Sequence, residues 1–278
     1  MGGCSLAESE RPVSSDFQPT PAPACPAPRN LLDDRSVLIT AAAGSGIGFA
    51  TARRCAQEGA RVMISDIHPG RLEHSASRLA DEIGREIPWV ICDVSSENDV
   101  EELTERAENE LGGIDVLVNN AGLGLTKPLV ETTSAEWQRV LDVNLTGCFR
   151  VIRSVLPRMH TRRRGAIVNL SSICAWRAEA GQSAYGASKA GVLALTRCAA
   201  MESAPFGVRI NAVVPSLALH PHLEKVSSPA FLERMIQENE VFGRAAETWE
   251  IANAVVFLAS DYSSYMTGEA LSVSCRRA

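Results

Sequence analysis

The sequence has no apolar run of the ~20 residues that a membrane-spanning helix needs, so no spanning helix is expected. It has no basic start followed by an apolar stretch, which excludes an ordinary signal peptide. Met1-Gly2 would suit myristoylation only with Ser or Thr at position 6, where Leu6 stands. There is no excess of positive charge. The net charge is -6, which removes the gross electrostatic case for nucleic acid. The short basic run Arg162-Arg163-Arg164 reads as a solvated loop before a strand. No two cysteines stand at CxxC spacing, although eight are present: Cys4, Cys25, Cys55, Cys92, Cys148, Cys174, Cys198 and Cys275. Most lie in apolar runs, where a reduced thiol packs as a small hydrophobe. Disulfide frameworks belong to short secreted chains. A reduced, cytoplasmic setting is expected, with no membrane or nucleic-acid partner.

What is present is a chain of 278 residues, 45% hydrophobic, enough for one domain of about 240 residues and a tail. Residues 1–33 hold six of the fourteen prolines: Pro12, Pro19, Pro21, Pro23, Pro26 and Pro28. Proline lacks the amide donor, so this stretch is expected to be a disordered tail with polyproline character. Residues 34–278 are expected to form the domain. There, apolar runs of strand length alternate with longer helical stretches. Strands are predicted over 37–40, 61–65, 88–92, 116–119, 166–170, 208–213 and 270–274. Helices are predicted over 47–58, 72–84, 97–111, 134–156, 183–204 and 248–258. Near-continuous apolar strands that alternate with helices imply an α/β fold. The expected form is a single doubly wound domain of Rossmann type, with a seven-stranded parallel sheet and helices on both faces.

The first strand runs into Ala41-Ala42-Ala43-Gly44-Ser45-Gly46-Ile47-Gly48 and then a helix. A strand, a small-residue turn and a helix N-terminus make an anion site, because free amides and the helix dipole face it. Gly48 lets the helix pack closely on the sheet. Ala42, Gly44, Ser45, Gly46 and Ile47 are therefore candidates to hold a dinucleotide pyrophosphate. Asp66 ends the second strand, 18 residues after Gly48. A carboxylate there accepts from ribose hydroxyls and repels a 2′-phosphate. Ser45 and Ile67 add no positive charge. NAD is expected over NADP. An ordinary strand-end aspartate is the plain alternative.

Tyr185 and Lys189 are four apart in a helical stretch and share a face. Proton transfer to a carbonyl oxygen calls for a donor, and a free tyrosine has a pKa of ~10. A nearby ammonium is expected to lower it. Ser172 lies 13 residues before Tyr185, just past an apolar strand. It is placed to hold a substrate oxygen.

These pieces resemble the short-chain dehydrogenase/reductase family from about Arg35 to the C-terminus. The matching residues are Gly46-Ile47-Gly48, Asp93-Val94, Asn119-Asn120-Ala121-Gly122, Asn144, Ser172, Tyr185-Gly186-Ala187-Ser188-Lys189 and Arg209-Ile210-Asn211-Ala212. The resemblance implies Tyr185 as general acid/base, Lys189 on the nicotinamide ribose, and Ser172 on the substrate oxygen. It implies Asn144 as holder of a relay water. Asp93 and Val94 would lie at the adenine, and Asn120, Ala121 and Gly122 along the cofactor. For Asn119 and Asn120 a purely structural role stays open. Pro215 and Ala218 fall where the family meets the nicotinamide. The family usually reads Thr-Gly at the loop start, where Ala41-Ala42 stands, and Pro-Gly after the sixth strand, where Pro215-Ser216 stands. An alanine costs more than a glycine where φ is positive.

The loop Thr40-Ala41-Ala42-Ala43-Gly44 and the stretches 242–246, 259–265 and 272–275 are similar to one branch of that family. Its members are actinobacterial reductases of steroid ring C and D breakdown, including one for a hydroxy-methyl-oxo-indane propionyl-CoA. The resemblance implies a CoA-ester substrate and a homo-oligomer, dimer or tetramer, paired through helices 134–156 and 183–204. Leu217 to Val241 is expected to form a mobile substrate flap. Trp176, Leu217 and Leu219 are the candidate substrate contacts. Arg177, His220, His222 and Lys225 read as solvated positions or as contacts to CoA phosphates. No metal site is expected. Two rival functions remain: an NADPH-dependent 3-oxoacyl-carrier-protein reductase, and a non-catalytic NAD-binding scaffold.

Overall fold

A computed structural model describes residues 19–226 and 228–275. Seven parallel strands form one sheet: β1 (Ser36–Ile39), β2 (Arg61–Asp66), β3 (Trp89–Ile91), β4 (Val116–Asn119), β5 (Gly165–Leu170), β6 (Val208–Pro215) and β7 (Ala270–Val273). Their order is β3-β2-β1-β4-β5-β6-β7. The order reverses between β1 and β4, which opens a crevice at the C-terminal ends of the strands. The expected doubly wound α/β sheet is the one found.

The helices are α1 (Ile47–Gln57), α2 (Pro69–Ile83), α3 (Glu97–Leu111), α4 (Ser134–Leu141), α5 (Gly147–Arg162), α6 (Ser183–Ser203), α7 (Pro221–Val226), α8 (Pro229–Asn239) and α9 (Thr248–Ala259). The two sheet faces carry separate apolar layers. On one, α1, α2 and α9 bring Phe49, Leu72, Leu79, Ile251 and Val255 against β1 and β2. On the other, α3, α5 and α6 bring Leu103, Val151, Val155 and Val192 against β4 and β5. The strands β1 and β4 are buried along their whole length, so they read as continuous apolar runs rather than alternating ones.

Three local features differ from expectation. The helix expected over 134–156 is two helices joined by a π turn, Asp142–Thr146. No proline or glycine marks that turn from inside, so the 3.6-residue pattern runs through it. The flap contains two short helices, α7 and α8, each beginning on a proline that presets its first φ. Arg162 and Arg164 are not merely solvated. Arg162 donates to both oxygens of Glu108 and to the Ile114 carbonyl, and Arg164 pairs with the buried Asp115.

The proline-rich segment departs most. Its first 18 residues lie outside those described, but residues 19–33 are pinned along the body rather than loose. Arg54 and Glu58, one turn apart on and just beyond α1, form a buried ion pair. Arg54 donates to the carbonyls of Pro26 and Ala27. A Glu58 oxygen accepts from the amides of Arg29 at 2.8 Å and Leu31 at 3.0 Å. Leu32 is then fully buried and leads into β1. Proline removes amides from this strap, but the Pro26 and Ala27 carbonyls and the Arg29 and Leu31 amides find partners on Arg54 and Glu58. Burial pushes the Glu58 carboxyl up, but the amides of Leu31 and Arg29 and the Arg54 guanidinium outweigh it and hold the group below its usual range. Its stabilisation is therefore complete above the ordinary carboxylate pKa and is lost as pH falls through the lowered one.

Replacing Glu58 by Ala leaves Arg54 buried without its carboxylate. A loss of about 3–5 kcal/mol is expected, because removing one partner of a buried pair uncovers the other charge. Trypsin should then cut after Arg29 under native conditions. A melting temperature and cleavage rate equal to wild type would show that the strap does not depend on this pair.

Candidate active site

The loop after β1 reaches the crevice first. Gly46 precedes α1 in an extended conformation and has no side chain to cap the helix. The first amides of α1 therefore face the loop, where they attract an anion. Gly44 has φ +100°, and its amide donates to Ser75 Oγ at 2.8 Å, which ties the loop to α2. A Cβ on Gly48 would lie 2.4 Å from the Ala41 carbonyl oxygen and 2.5 Å from Asn120 Nδ2. That position admits only glycine. Ala42 is fully buried, and its amide donates to the Ser65 carbonyl, so its side chain faces the core and not a cofactor.

Asp66 stands at the end of β2 beside this loop. Its carboxylate accepts from the amides of Ala43 and His68, each at 3.1 Å. Burial raises its pKa, opposed by the Ala43 amide and by Arg71. Asp93 makes a local turn, accepting from the amide and hydroxyl of Ser95. Val94 packs on α5, where a Cβ on Gly147 would lie 2.8 Å from it. Asn120 does not face the crevice with its side-chain amide: that group donates to the carbonyls of Thr40 and Ala41. Its backbone amide and that of Ala121 donate to Thr40 Oγ1. The structural role left open for Asn120 is the one its contacts express. Asn119 likewise donates to buried Asn169.

The candidate catalytic groups gather where β5 meets α6. Ser172 follows β5, and its side chain is hydrogen-bonded to Tyr185. Lys189, one turn along α6, is buried, and its Nζ donates to the Leu170 carbonyl at 2.8 Å. Asn144 comes from the π turn. Its Nδ2 donates to the Leu123 carbonyl and to Ser188 Oγ, while its Oδ1 accepts from the Leu123 amide. Ser188 passes the chain back to the Tyr185 carbonyl. A Cβ on Gly122 would lie 3.4 Å from Lys189 Nζ and 3.7 Å from Asn144 Oδ1. So Ser172, Tyr185, Lys189, Asn144 and Gly122 converge at one place.

A family model described as enoyl-(acyl carrier protein) reductase matches residues 41–275. A crystal structure of a short chain dehydrogenase from Mycobacterium smegmatis superposes with a TM-score of 0.82 at 48% identity, covering 93% of this chain and 99% of that one. The chain belongs to the short-chain dehydrogenase/reductase family. It is therefore an oxidoreductase. A relative in Mycobacterium tuberculosis, named (5R,7aS)-5-hydroxy-7a-methyl-1-oxo-2,3,5,6,7,7a-hexahydro-1H-indene-carboxyl-CoA reductase, is 53% identical over 88% of this chain and 94% of its own. The cis-4-hydroxycyclohexanecarboxylate dehydrogenase of Sinomonas cyclohexanicum is 41% identical over 86% of this chain and 95% of its own.

Within this dehydrogenase/reductase, the proton levels differ from the simple expectation. Burial pushes the Tyr185 phenol up to about 12, against the hydrogen bond from Ser172. Burial, rather than Lys189, dominates this level. The ammonium is turned to the Leu170 carbonyl and sits 5.7 Å from the tyrosine ring centroid. Burial brings Lys189 itself down to about 8.

The remaining candidates spread along the crevice rim. Trp176 is half exposed after Ser172, and Leu217 and Leu219 are partly exposed after Pro215. Pro215 and Ala218 are buried, and Ala218 is bridged to Ala246. His220, read as a solvated position or a contact to CoA phosphates, is partly exposed, with its ring 4.0 Å from where a Gly46 Cβ would stand and its Nδ1 accepting from the Leu223 amide. Ser75 was not legible as a contact to this loop, because it meets Gly44 from far away in sequence.

Ala41 adopts φ +51°, where a Cβ costs roughly 1–2 kcal/mol. Ala41→Gly is expected to raise the melting temperature by about 2–4 °C, and a drop would show that the methyl packs usefully. The pH profile supplies a second check. If Tyr185 is the proton donor in reduction, a phenol raised to about 12 keeps its proton throughout an ordinary assay range. The basic limb of kcat/KM is therefore expected as pH passes about 8, where Lys189 loses its charge. A rate unchanged to pH 10, measured by initial velocities, would show that this charge is not used.

Proposed function

We propose that the enzyme moves a hydride between NAD and a ring hydroxyl or ketone of a bicyclic, CoA-activated acid of steroid-fragment type. The observation that carries the reaction is the Ser172–Tyr185 pair set beside buried Lys189 at the crevice. Bound NAD accepts the hydride on oxidation, and its reduced form supplies one on reduction. Ser172 holds the substrate oxygen. Tyr185 gives that oxygen a proton on reduction and takes it back on oxidation. Lys189 holds positive charge beneath the tyrosine, and Asn144 fixes the turn above both through Leu123 and Ser188. The open start of α1 binds the pyrophosphate, and Asp66 accepts from the ribose hydroxyls.

The substrate class rests on the relative from Mycobacterium tuberculosis and on the apolar side chains along the flap. Phe231 is 38% exposed on α8, and Trp176 is 49% exposed four residues after Ser172. Both suit a fused-ring surface. The relative's name specifies a carboxyl-CoA, so the acyl arm proposed is shorter than the propionyl-CoA expected from the sequence.

One feature favours a second reading. Arg71 is close enough to Asp66 to act on its charge. A basic group there would suit the 2′-phosphate of NADP, as in an NADPH-dependent 3-oxoacyl reductase. A 3-oxoacyl-(acyl-carrier-protein) reductase of Thermotoga maritima is 38% identical over 87% of this chain.

Absorbance at 340 nm with each cofactor, over a panel of hydroxyacyl-CoA esters, separates the two. NADH formed selectively from a bicyclic CoA ester is the expected result. NADPH formed from straight-chain 3-hydroxyacyl esters would replace it with the second reading. Tyr185→Phe should lower kcat by about 100-fold to 10,000-fold, with NAD binding retained by fluorescence titration. Turnover near wild type would remove Tyr185 from the chemistry.

A further inference from the structure

The segment from Pro215 to His220 crosses the crevice. It starts beside β5, where the Ser171 amide donates to the Val213 carbonyl, and it ends with the His220 ring against Gly46 at the start of α1. The flap formed by α7 and α8 follows, and the chain returns at Glu240. Entry and exit then run side by side: Ala246 N donates to Leu217 O, and Leu219 N donates to Ala246 O. The exit is also tied to the strap, because Thr20 N donates to Phe242 O.

Glu240 lies at this root. It is 3% exposed, an unusual setting for a glutamate. Its Oε2 accepts from Ser216 Oγ at 3.1 Å and from Cys275 Sγ at 3.0 Å, and its Oε1 faces the Leu217 amide at 3.4 Å. Val241 N donates to the Cys275 carbonyl beside it. One carboxylate thus joins the flap's entry, its exit and the residues after β7. The chemistry described above uses none of these groups. Ser216 is also the residue that replaces the family's usual glycine, and its hydroxyl is spent on this carboxylate.

We propose that Glu240 is the positioning residue of the substrate flap: its buried carboxylate fastens the flap's two ends together and so sets how closely the flap covers the crevice. The proposal rests on the reading of this crevice as a hydride-transfer site for a bulky ketone. A buried carboxylate that loses its donors, or donors that lose their carboxylate, pull the root apart. The loss falls on substrate capture rather than on the proton transfer at Tyr185.

The test uses the full chain as wild type, Glu240→Gln, Glu240→Ala and Ser216→Ala. Two quantities are read: tryptic cleavage after Lys225 and Arg234 in the flap, and KM against kcat for the bicyclic ketone. Glu240→Ala should be cut about tenfold faster in the flap, with cleavage after Arg106 on α3 unchanged. Its KM should rise about tenfold while kcat stays within about threefold. Glu240→Gln and Ser216→Ala should shift the same way by less. If Glu240→Ala does not fold, these two milder variants decide the matter. Flap cleavage and KM at wild-type values, with only the melting temperature lowered, would overturn the proposal. If no bicyclic ketone is turned over by wild type, the substrate reading fails, and the cleavage comparison alone decides the role of Glu240.

Discussion

A backbone amide or carbonyl buried at the C-terminal edge of a parallel sheet must find a hydrogen-bond partner. That requirement organises this molecule. The Leu170 carbonyl at the end of β5 is met by the ammonium of Lys189. The Thr40 and Ala41 carbonyls beyond β1 are met by Asn120. Leu123, beyond β4, is met on both sides by Asn144. Two of these groups, Lys189 and Asn144, are also among those that gather around Tyr185. Structure and chemistry are built from one set of hydrogen bonds.

The arrangement has costs, and they fall at the crevice. A lysine is buried and its pKa drawn down to about 8. A phenol is raised to about 12. An alanine holds a left-handed backbone. Elsewhere the fold is ordinary: two apolar layers on a fully covered sheet, with capped helices such as α4, where Thr133 and Glu136 form a reciprocal cap. Strain and desolvation thus meet at the crevice, as they do at many active sites, but not there alone: the Arg54–Glu58 pair is buried under the strap, and Arg163 also holds a left-handed backbone.

Much of this was legible beforehand, for reasons that attach to particular residues. The strands β1 and β4 show as unbroken apolar runs because both faces are covered. Gly48 shows because close packing there leaves no room for a Cβ. Tyr185 and Lys189 show because a helix places residues four apart on one face. Other features were hidden. The π turn carrying Asn144 leaves no breaker in the sequence. The strap of residues 19–33 reads as a loose proline tail until Arg54 and Glu58 are seen to hold its backbone. His220 reads as a solvated histidine until the flap folds it over Gly46.

By itself the sequence determined the alternation of elements, the doubly wound class, the glycine-rich loop after β1 and the identity of the groups around Tyr185. These follow from periodicity and from short-range spacing, which are written along the chain. The tertiary structure alone decided the strand order, the proton levels of Tyr185 and Lys189, the anchoring of the strap and the meeting of Ser216, Glu240 and Cys275. Each of those depends on desolvation or on contacts between residues distant in sequence. Such contacts exist only once the sheet has brought its strands into register.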